Sequence, residues 1–195
     1  MVLSPTDVIR RALCHRVKQS VDDASLIPAA VLLLLYAKDG ELCVLLNKRS
    51  EDVEYHKGEI SFPGGARDPE DKDFLDTALR ETEEEMGIGR ADVTILGELD
   101  EVATRSRFRV NVFVGAICYP YHFRPSTVEI AEVLEVPISS LRDWANQRVE
   151  TRWEGGMPVT SYSYAYQEHV IFGATARILQ QLLELLSDGL NKEEG

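Results

Sequence analysis

Hydrophobic residues along this chain run together or alternate in patterns that predict strands and helices in mixed order. An apolar run at residues 29–36 predicts a buried strand, and Asp39-Gly40 predicts a hairpin turn that leads into a second strand at residues 41–47. Further strands are predicted at residues 92–104, 109–119, 133–136 and 160–167. Helices are predicted at residues 4–19, 139–147 and 172–187, with Gly189 as the stop of the last one. The order predicts an α/β fold with a mixed sheet between helices.

A further helix, ending at Gly87, has an unusual distribution of charge. One face is apolar and faces the predicted core: Leu75, Ala78, Leu79, Thr82 and Met86. The last two turns are rich in glutamate, although the partial negative charge at the C-terminus of a helix disfavours acids there. Glu81, Glu84 and Glu85 share one stripe, so their oxygens can converge on a hard divalent ion such as Mg²⁺ or Mn²⁺. Glu83 points elsewhere, towards solvent.

A solvated acidic surface is the ordinary explanation for such a run of charge. Here the run has a context that favours a cation site. The tight turn Phe62-Pro63-Gly64-Gly65 precedes the helix, and Arg80 and Gly87 flank the glutamates at fixed offsets.

Residues 64–88 resemble the Nudix box, a motif written G-x5-E-x7-R-E-U-x-E-E-x-G-U in which U is aliphatic. The positions that match are Arg80, Glu81, Glu84, Glu85, Gly87 and Ile88. Thr82 replaces an aliphatic residue. Ala66 and Lys72 occupy the glycine and glutamate positions counted back from Arg80, because the loop is one residue longer, and Asp71 lies next to the missing glutamate. The lengthened loop resembles that of the coenzyme A diphosphatase branch of the family.

A second motif resembles the same branch, in which a pattern L-L-T-x-R-S-x3-R-x3-G-x3-F-P-G-G precedes the box. The matching residues are Leu45, Leu46, Arg49, Ser50, Gly58 and Phe62 to Gly65. Asn47 stands where the pattern has threonine, and Glu54 stands where it has arginine. The second change reverses a charge, and we expect it to weaken the capture of polyanionic coenzyme A.

The resemblance implies an α/β/α sandwich and a hydrolysis in which water attacks one phosphorus of a diphosphate and the other phosphate leaves. With Mg²⁺ or Mn²⁺ as cofactor, the implied metal ligands are Gly65 through its carbonyl, Glu81, Glu84 and Glu85. Glu81 either binds the ion or orients the attacking water, and Arg80 pairs with a carboxylate of the box. The general base stays open among Glu81, Glu84, Glu129 and Glu168.

Substrate contacts are expected from residues around the glycine turn, namely Arg49, Ser50, Gly58, Gly64 and Arg67. For Arg49 and Arg67, an ordinary surface arginine is an equal alternative. The histidines His15, His122 and His169 show no spacing typical of metal ligands.

The amino-acid composition disfavours some classes of binding partner. The chain has 33 acidic against 21 basic residues and a net charge of −12, which disfavours nucleic acid and anionic membranes as partners. The three cysteines form no ligand pattern, and no signal peptide is visible, so we expect a cytoplasmic protein. We expect residues 1–195 to form one domain, with the first and last helices packed on it. The family resemblance also implies a homodimer.

Three functions remain open at this stage. The first is hydrolysis of coenzyme A or its acyl derivatives to 3′,5′-ADP and 4′-phosphopantetheine. The second is the same chemistry on another nucleoside diphosphate conjugate, such as ADP-ribose, NADH or a dinucleotide, which Asn47 and Glu54 favour. The third is a Nudix-fold protein that binds a nucleotide without turnover, against which the three retained box glutamates argue.

Overall fold

The computed structural model describes residues 5–51 and 58–191. Its helices are α1 (Pro5–Cys14), α2 (Phe74–Met86), α3 (Ile138–Arg142) and α4 (Gly173–Asn191). Its strands are β1 (Ile27–Lys38), β2 (Glu41–Arg49), β3 (Ile60–Ser61), β4 (Gly64–Ala66), β5 (Thr94–Glu98), β6 (Val102–Ala103), β7 (Phe108–Ala116), β8 (Ile130–Pro137), β9 (Gln147–Glu154), β10 (Met157–Tyr166) and β11 (His169–Ile171).

The described strands form a central mixed sheet and a smaller second sheet. The central path is β3-β2-β1-β7-β5, with β4 paired to β1, β6 to β7 and β8 to β2. The pair β1 and β7 is parallel, and its neighbours are antiparallel. The second sheet has the order β11-β10-β9.

Side chains of β1 alternate between two cores because successive residues of a strand point to opposite faces. Leu33 and Leu35 pack with α1 and α4 on one face. Leu32 and Leu34 pack with α2 on the other. The sheet therefore lies between helical layers, which confirms the predicted α/β/α sandwich.

A fork between β1 and β2 creates the space for the candidate site. The two strands pair from Leu34–Leu45 outward to the hairpin turn. Beyond that point β1 pairs with β4 at Val31–Gly64, while β2 pairs with β3 at Asn47–Ser61. The glycine turn therefore lies between the two diverging strands.

Several predicted boundaries were wrong. The first helix ends at Cys14 instead of residue 19, and Arg16 and the backbone N–H of Gln19 instead bind the carboxylate of Asp100. The predicted strand at residues 92–104 is two strands, β5 and β6. The predicted helix at 139–147 is α3 followed by a 3₁₀ turn, Trp144–Asn146. Helix α4 continues past Gly189 to Asn191.

Strand β9 was missed entirely. Its sequence, QRVETRWE, carries charged and polar residues without the alternation that reveals a half-buried strand. It pairs with β10 over its whole length. Among the described helices, none combines the length and apolarity that a membrane crossing requires.

Candidate active site

Two adjacent glycines are needed at the glycine turn for different reasons. Gly64 has a φ of 153° and its α-carbon lies against the backbone of Ala30, so a side chain there would collide with β1. Gly65 lies against a carboxylate instead: an added Cβ would be 2.5 Å from Glu81 Oε1. Glycine at these positions lets the turn approach both the sheet and helix α2.

Helix α2 presents the box glutamates to this turn. The Asp73 side chain caps its N-terminus by accepting from the Asp76 N–H, at 2.8 Å. Gly87, with a φ of 66°, ends the helix as predicted, and its N–H donates to the Glu83 carbonyl. Thr82 and Met86 are buried in the core as predicted. Glu83 is exposed and pairs with Arg90, away from the turn.

Glu85 is buried beneath the turn and is held by three donors. The Gly64 N–H and the Asn47 side-chain amide donate to Oε2, at 3.2 and 3.0 Å, and Arg49 Nη1 donates to Oε1 at 3.0 Å. Burial raises the pKa of Glu85 to about 7, although the charge of Arg49 and the Gly64 N–H oppose the shift. The three donors thus fix an acid in a place where its charge is costly.

Asn47, which was predicted only to alter substrate recognition, contacts an acid of the box. Its side chain is fully buried and connects Glu85 to the Ser61 hydroxyl, which donates to Asn47 Oδ1 at 2.7 Å. Asn47 therefore positions Glu85. The alternation of β2 could have predicted that Asn47 is buried, because Asn47 and Arg49 lie on the same face of the strand as the apolar residues Cys43 and Leu45.

Arg80 joins the loop to the helix through an ion pair with two parallel hydrogen bonds. Its Nε and Nη2 donate to the two oxygens of Asp71 at 2.9 and 3.0 Å. The pair keeps the pKa of Asp71 well below its usual range. Asp71 is buried and also accepts from Thr77 Oγ1. The lengthened loop thus supplies the carboxylate that pairs with Arg80 from Asp71, next to Lys72 at the glutamate position of the box.

The second amino group of Arg80 faces the box glutamates. Nη1 lies 2.9 Å from Glu81 Oε1 and 3.1 Å from Glu84 Oε2. Burial raises the pKa of Glu81, Arg80 opposes the shift, and the charges of Glu84 and Glu129 add to it. Glu129 also raises the pKa of Glu85. It therefore lies within electrostatic reach of both.

Glu81, Glu84 and Glu85, whose oxygens were predicted to be able to converge, do not form a set of ligand atoms that all lie within 4.8 Å of one another. In residues 5–51 and 58–191, the one set of three acidic, histidine or cysteine ligand atoms that lie within 4.8 Å of one another belongs to Glu132, Glu168 and His169. The box glutamates instead engage Arg80 and Arg49.

The chemistry of the box residues nevertheless fits a hard divalent ion. Carboxylates and a backbone carbonyl are the donors that Mg²⁺ and Mn²⁺ prefer. Glu85 is buried and Glu81 is half-buried; the charges of Glu81 and Glu129 raise the pKa of Glu85, and those of Glu84 and Glu129 raise the pKa of Glu81. A cation would relieve this repulsion, and the missing Cβ of Gly65 leaves room beside Glu81.

The remaining predicted substrate residues differ in their surroundings. Arg67 donates from Nη2 to the carbonyls of Asp71 and Lys72, so that group supports the loop. Ser50 and Gly58 border residues 52–57, and the Gly58 N–H donates to the Arg49 carbonyl. Glu54, His56 and Lys57 lie outside the described residues.

Comparison with known proteins agrees with this geometry. The NUDIX domain model matches residues 26–149, which is well over half of the chain. The chain belongs to the Nudix family. It is 35% identical over 156 residues to a protein of Photorhabdus laumondii named "Uncharacterized Nudix hydrolase NudL", covering 80% of this chain and 83% of that protein.

Solved Nudix structures share the fold. The Nudix hydrolase RenU from M. smegmatis superposes with a TM-score of 0.51 and 25% identity, over 66% of this chain and 83% of that one. A MutT/nudix family protein from Enterococcus faecalis gives a TM-score of 0.53 at 12% identity, over 96% of this chain and 76% of that one. The chain is therefore a Nudix hydrolase, an enzyme that acts on a diphosphate substrate.

Proposed function

We propose that this Nudix hydrolase cleaves the diphosphate bond of coenzyme A or acyl-coenzyme A, giving 3′,5′-ADP and 4′-phosphopantetheine or its acylated form. One observation carries the proposal. The glycine turn of the coenzyme A-type motif contacts the box glutamates directly, Gly64 through its N–H to Glu85 and Gly65 through its close approach to Glu81. The motif that marks the branch and the motif that marks the family thus form a single site.

The proposed roles follow from the surroundings of each residue. Glu81, Glu84, Glu85 and the carbonyl of Gly65 would hold Mg²⁺ or Mn²⁺, and the ion supplies charge stabilisation to the diphosphate when bound. Glu81, which lies beside Gly65, orients the attacking water or binds the ion. Arg80 positions Glu81 and Glu84 through Nη1 and contacts no substrate.

A polyanionic substrate needs local cations on a protein of net charge −12. Arg49 is suited to this because its Nε is buried and lacks a hydrogen-bond partner among the described residues, while Nη1 is held by Glu85. The side chain as a whole is 22% exposed, so part of the guanidinium's positive charge is accessible to a phosphate group. Ser50, Gly58, Gly64 and Arg67 are proposed to line the same substrate path.

A second candidate is hydrolysis of another nucleoside diphosphate conjugate, such as ADP-ribose, NADH or a dinucleotide. Glu54 favours it, because the coenzyme A-type motif has arginine at that position. Asn47 no longer counts towards it, since its contacts are with Glu85 and Ser61.

The deciding experiment is a hydrolysis screen with Mg²⁺ and with Mn²⁺, in which products are identified by mass. The substrates are coenzyme A, acetyl-coenzyme A, ADP-ribose, NADH and diadenosine polyphosphates. Release of 3′,5′-ADP at the highest kcat/KM supports the proposal. A better substrate without the coenzyme A moiety would instead support the second candidate. Binding without turnover of any compound would support a nucleotide-binding protein.

The matched pair Glu84→Gln and Glu83→Gln tests the site itself. Both glutamates are exposed on the same helix, but Glu84 contacts Arg80 at the turn and Glu83 contacts Arg90. Glu84→Gln should lower kcat on the order of 100-fold, as loss of a transition-state charge partner does, and Glu83→Gln should leave it within a few-fold. Equal effects of the two changes would contradict the assignment.

We also propose that residues 1–195 form a single folding unit that assembles as a homodimer. Light scattering coupled to size-exclusion chromatography measures the assembly directly. A mass of one chain, 21.9 kDa, would rule out the dimer under those conditions.

A further inference from the structure

A second group of metal-binding side chains lies outside the Nudix box. It consists of Glu132 on β8, Glu168 in the turn between β10 and β11, and His169 at the start of β11. The ligand atoms of the three side chains lie within 4.8 Å of one another. No linear spacing reveals the group, since Glu132 is far from the other two in sequence.

The backbone holds His169 in a fixed place. Tyr166 pairs with His169 across a turn of two residues, Gln167 and Glu168, and Gln167 has a φ of 53°. In β11, His169 and Ile171 are buried while Val170 between them is exposed. The imidazole is therefore on the core side of the edge strand, facing β8, and Glu168 is next to it at the surface.

The ring nitrogen Nε2 of His169 is the second and independent observation. It is a buried polar atom with no hydrogen-bond partner in the described part of the chain, in a side chain only 6% exposed. It lies 3.1 Å from Glu132 Oε2, yet the two atoms lack the alignment of a hydrogen bond. Buried polar atoms are nearly always satisfied, so this one calls for a missing partner.

The separation of the two atoms suits a shared metal ion. Two ligand atoms about 2.1 Å from one ion are about 3.0 Å apart at a right angle and about 3.4 Å apart at the tetrahedral angle. The observed 3.1 Å lies between these values. An ion on the ring lone pair would satisfy Nε2 without requiring the atom to point at Glu132.

The chemical nature of the three ligand atoms indicates which kind of ion the group would bind. An imidazole nitrogen with two carboxylates suits Zn²⁺ and similar transition metals, whereas Mg²⁺ prefers oxygen ligands and keeps its waters. We propose that Glu132, Glu168 and His169 bind one Zn²⁺-class ion, which ties the β10–β11 turn to β8 and keeps at least one position for water. This site is separate from the proposed function of the Nudix box, because Glu132 pairs in register with Lys48. Its side chain therefore points to the face of β2 opposite the one that carries Asn47 and Arg49.

The test is a metal titration of the full-length protein, first stripped with a chelator and then held in a large excess of Mg²⁺. Mg²⁺ occupies oxygen-donor sites but competes poorly for an imidazole. Zn²⁺ binding is followed by calorimetry, and Co²⁺ is used as a spectroscopic probe, since nitrogen coordination with four or five ligands gives visible bands stronger than those of a six-coordinate oxygen site. We expect one Zn²⁺ per chain. We also expect the Co²⁺ spectrum to show the stronger visible bands of a site with nitrogen coordination and four or five ligands.

The variants His169→Ala and Glu168→Gln should each weaken Zn²⁺ binding, by roughly 100-fold and roughly tenfold respectively, because each removes a ligand. His122→Ala is the matched control, as His122 is an exposed histidine outside the group, and it should change nothing. Glu84→Gln should also retain the Zn²⁺ site even though hydrolysis fails, which separates this proposal from the proposed function.

Glu168 is exposed, so its replacement keeps the test valid if His169→Ala does not fold. Absence of Zn²⁺ binding in excess Mg²⁺, or Zn²⁺ binding unaffected by Glu168→Gln, would overturn the proposal.

Discussion

Asn47 contacts an acid of the candidate site without being acidic itself. Its amide donates to Glu85 and its carbonyl accepts from Ser61, in a fully buried position. Groups that orient a metal ligand typically change metal affinity by about 10–100-fold when they are replaced. Asn47→Leu should therefore weaken activation by Mg²⁺ by about that factor, measured as the Mg²⁺ concentration at half-maximal rate. Asn47→Thr, which restores the residue of the branch motif and supplies a hydroxyl donor in place of the amide, should lose less. Equal half-maximal concentrations in all three proteins would show that Asn47 does not position Glu85.

Substitutions of the two glycines in the turn are expected to have different effects, one on activity and the other on stability. An added methyl group at Gly65 meets the flexible end of Glu81, whereas one at Gly64 meets the backbone of β1 at a φ of 153°. Gly65→Ala should displace the carboxylate and lower kcat at least tenfold, while changing the free energy of unfolding by less than about 1 kcal/mol. Gly64→Ala should instead lower the free energy of unfolding by about 2–3 kcal/mol. Urea denaturation and rate measurements on both variants check the contrast, and the reverse order would refute it.

At the level of elements, the Asp71–Arg80 pair fastens the long loop to helix α2. The side chain of Asp71 is 3% exposed and that of Arg80 is 20% exposed. Asp71→Asn should destabilise the protein by about 3 kcal/mol, because it removes the carboxylate that accepts two hydrogen bonds from Arg80 and leaves that side chain paired only with Glu81 and Glu84. The pKa of Asp71 is lowered from 3.8 in the folded state. The pair therefore contributes fully above pH 3.8, and its contribution is lost as the pH falls through the folded-state pKa.

The difference in stability between wild type and Asp71→Asn should accordingly be constant near neutral pH and shrink below about pH 4. Urea denaturation at several pH values measures it. Thr77→Ser keeps the hydroxyl that donates to Asp71 and serves as a mild control. A difference that grows on acidification would have the wrong sign for a carboxylate stabilised by Arg80.

The elements also show what the sequence could and could not predict. Helix α2 was predictable because its apolar face, its Asp73 cap and its Gly87 stop are all local signals. Strand β9 was not, because it is held by backbone pairing to β10 and buries few side chains. The early end of α1 was also hidden, since it depends on contacts of Arg16 and Gln19 with Asp100, which is distant in sequence.

The candidate site likewise has parts that the sequence could predict and parts that it could not. The glutamates, Arg80 and the glycine turn were predictable from their spacing and from the family motif. The partners of these residues were not, because Asn47, Asp71 and Glu129 reach the site from other elements through the fork between β1 and β2. The cluster of Glu132, Glu168 and His169 is the extreme case, assembled by sheet pairing alone.

At the scale of the whole molecule, negative charge is in excess, and the box glutamates Glu81, Glu84 and Glu85 contribute to it at the candidate site. The net charge is −12, and the pKa values of Glu81 and Glu85 are raised by burial and by other acids nearby. A divalent ion that binds only the folded protein stabilises it by mass action, by about 2.7 kcal/mol at 100 times its dissociation constant. For a chain of this size each kcal/mol raises Tm by about 2–4 °C. Saturating Mg²⁺ should therefore raise Tm by several degrees.

General screening of repulsion between acids would also raise Tm, so NaCl at the same ionic strength is the necessary control. We expect NaCl to produce a smaller shift than Mg²⁺. The Glu84→Gln variant should lose most of the extra shift that Mg²⁺ gives, because Glu84 is a proposed ligand, whereas Glu83→Gln removes only a surface charge. If Mg²⁺ and NaCl shift Tm equally in wild type, the acids of the box are merely screened, and no ion is held among Glu81, Glu84 and Glu85.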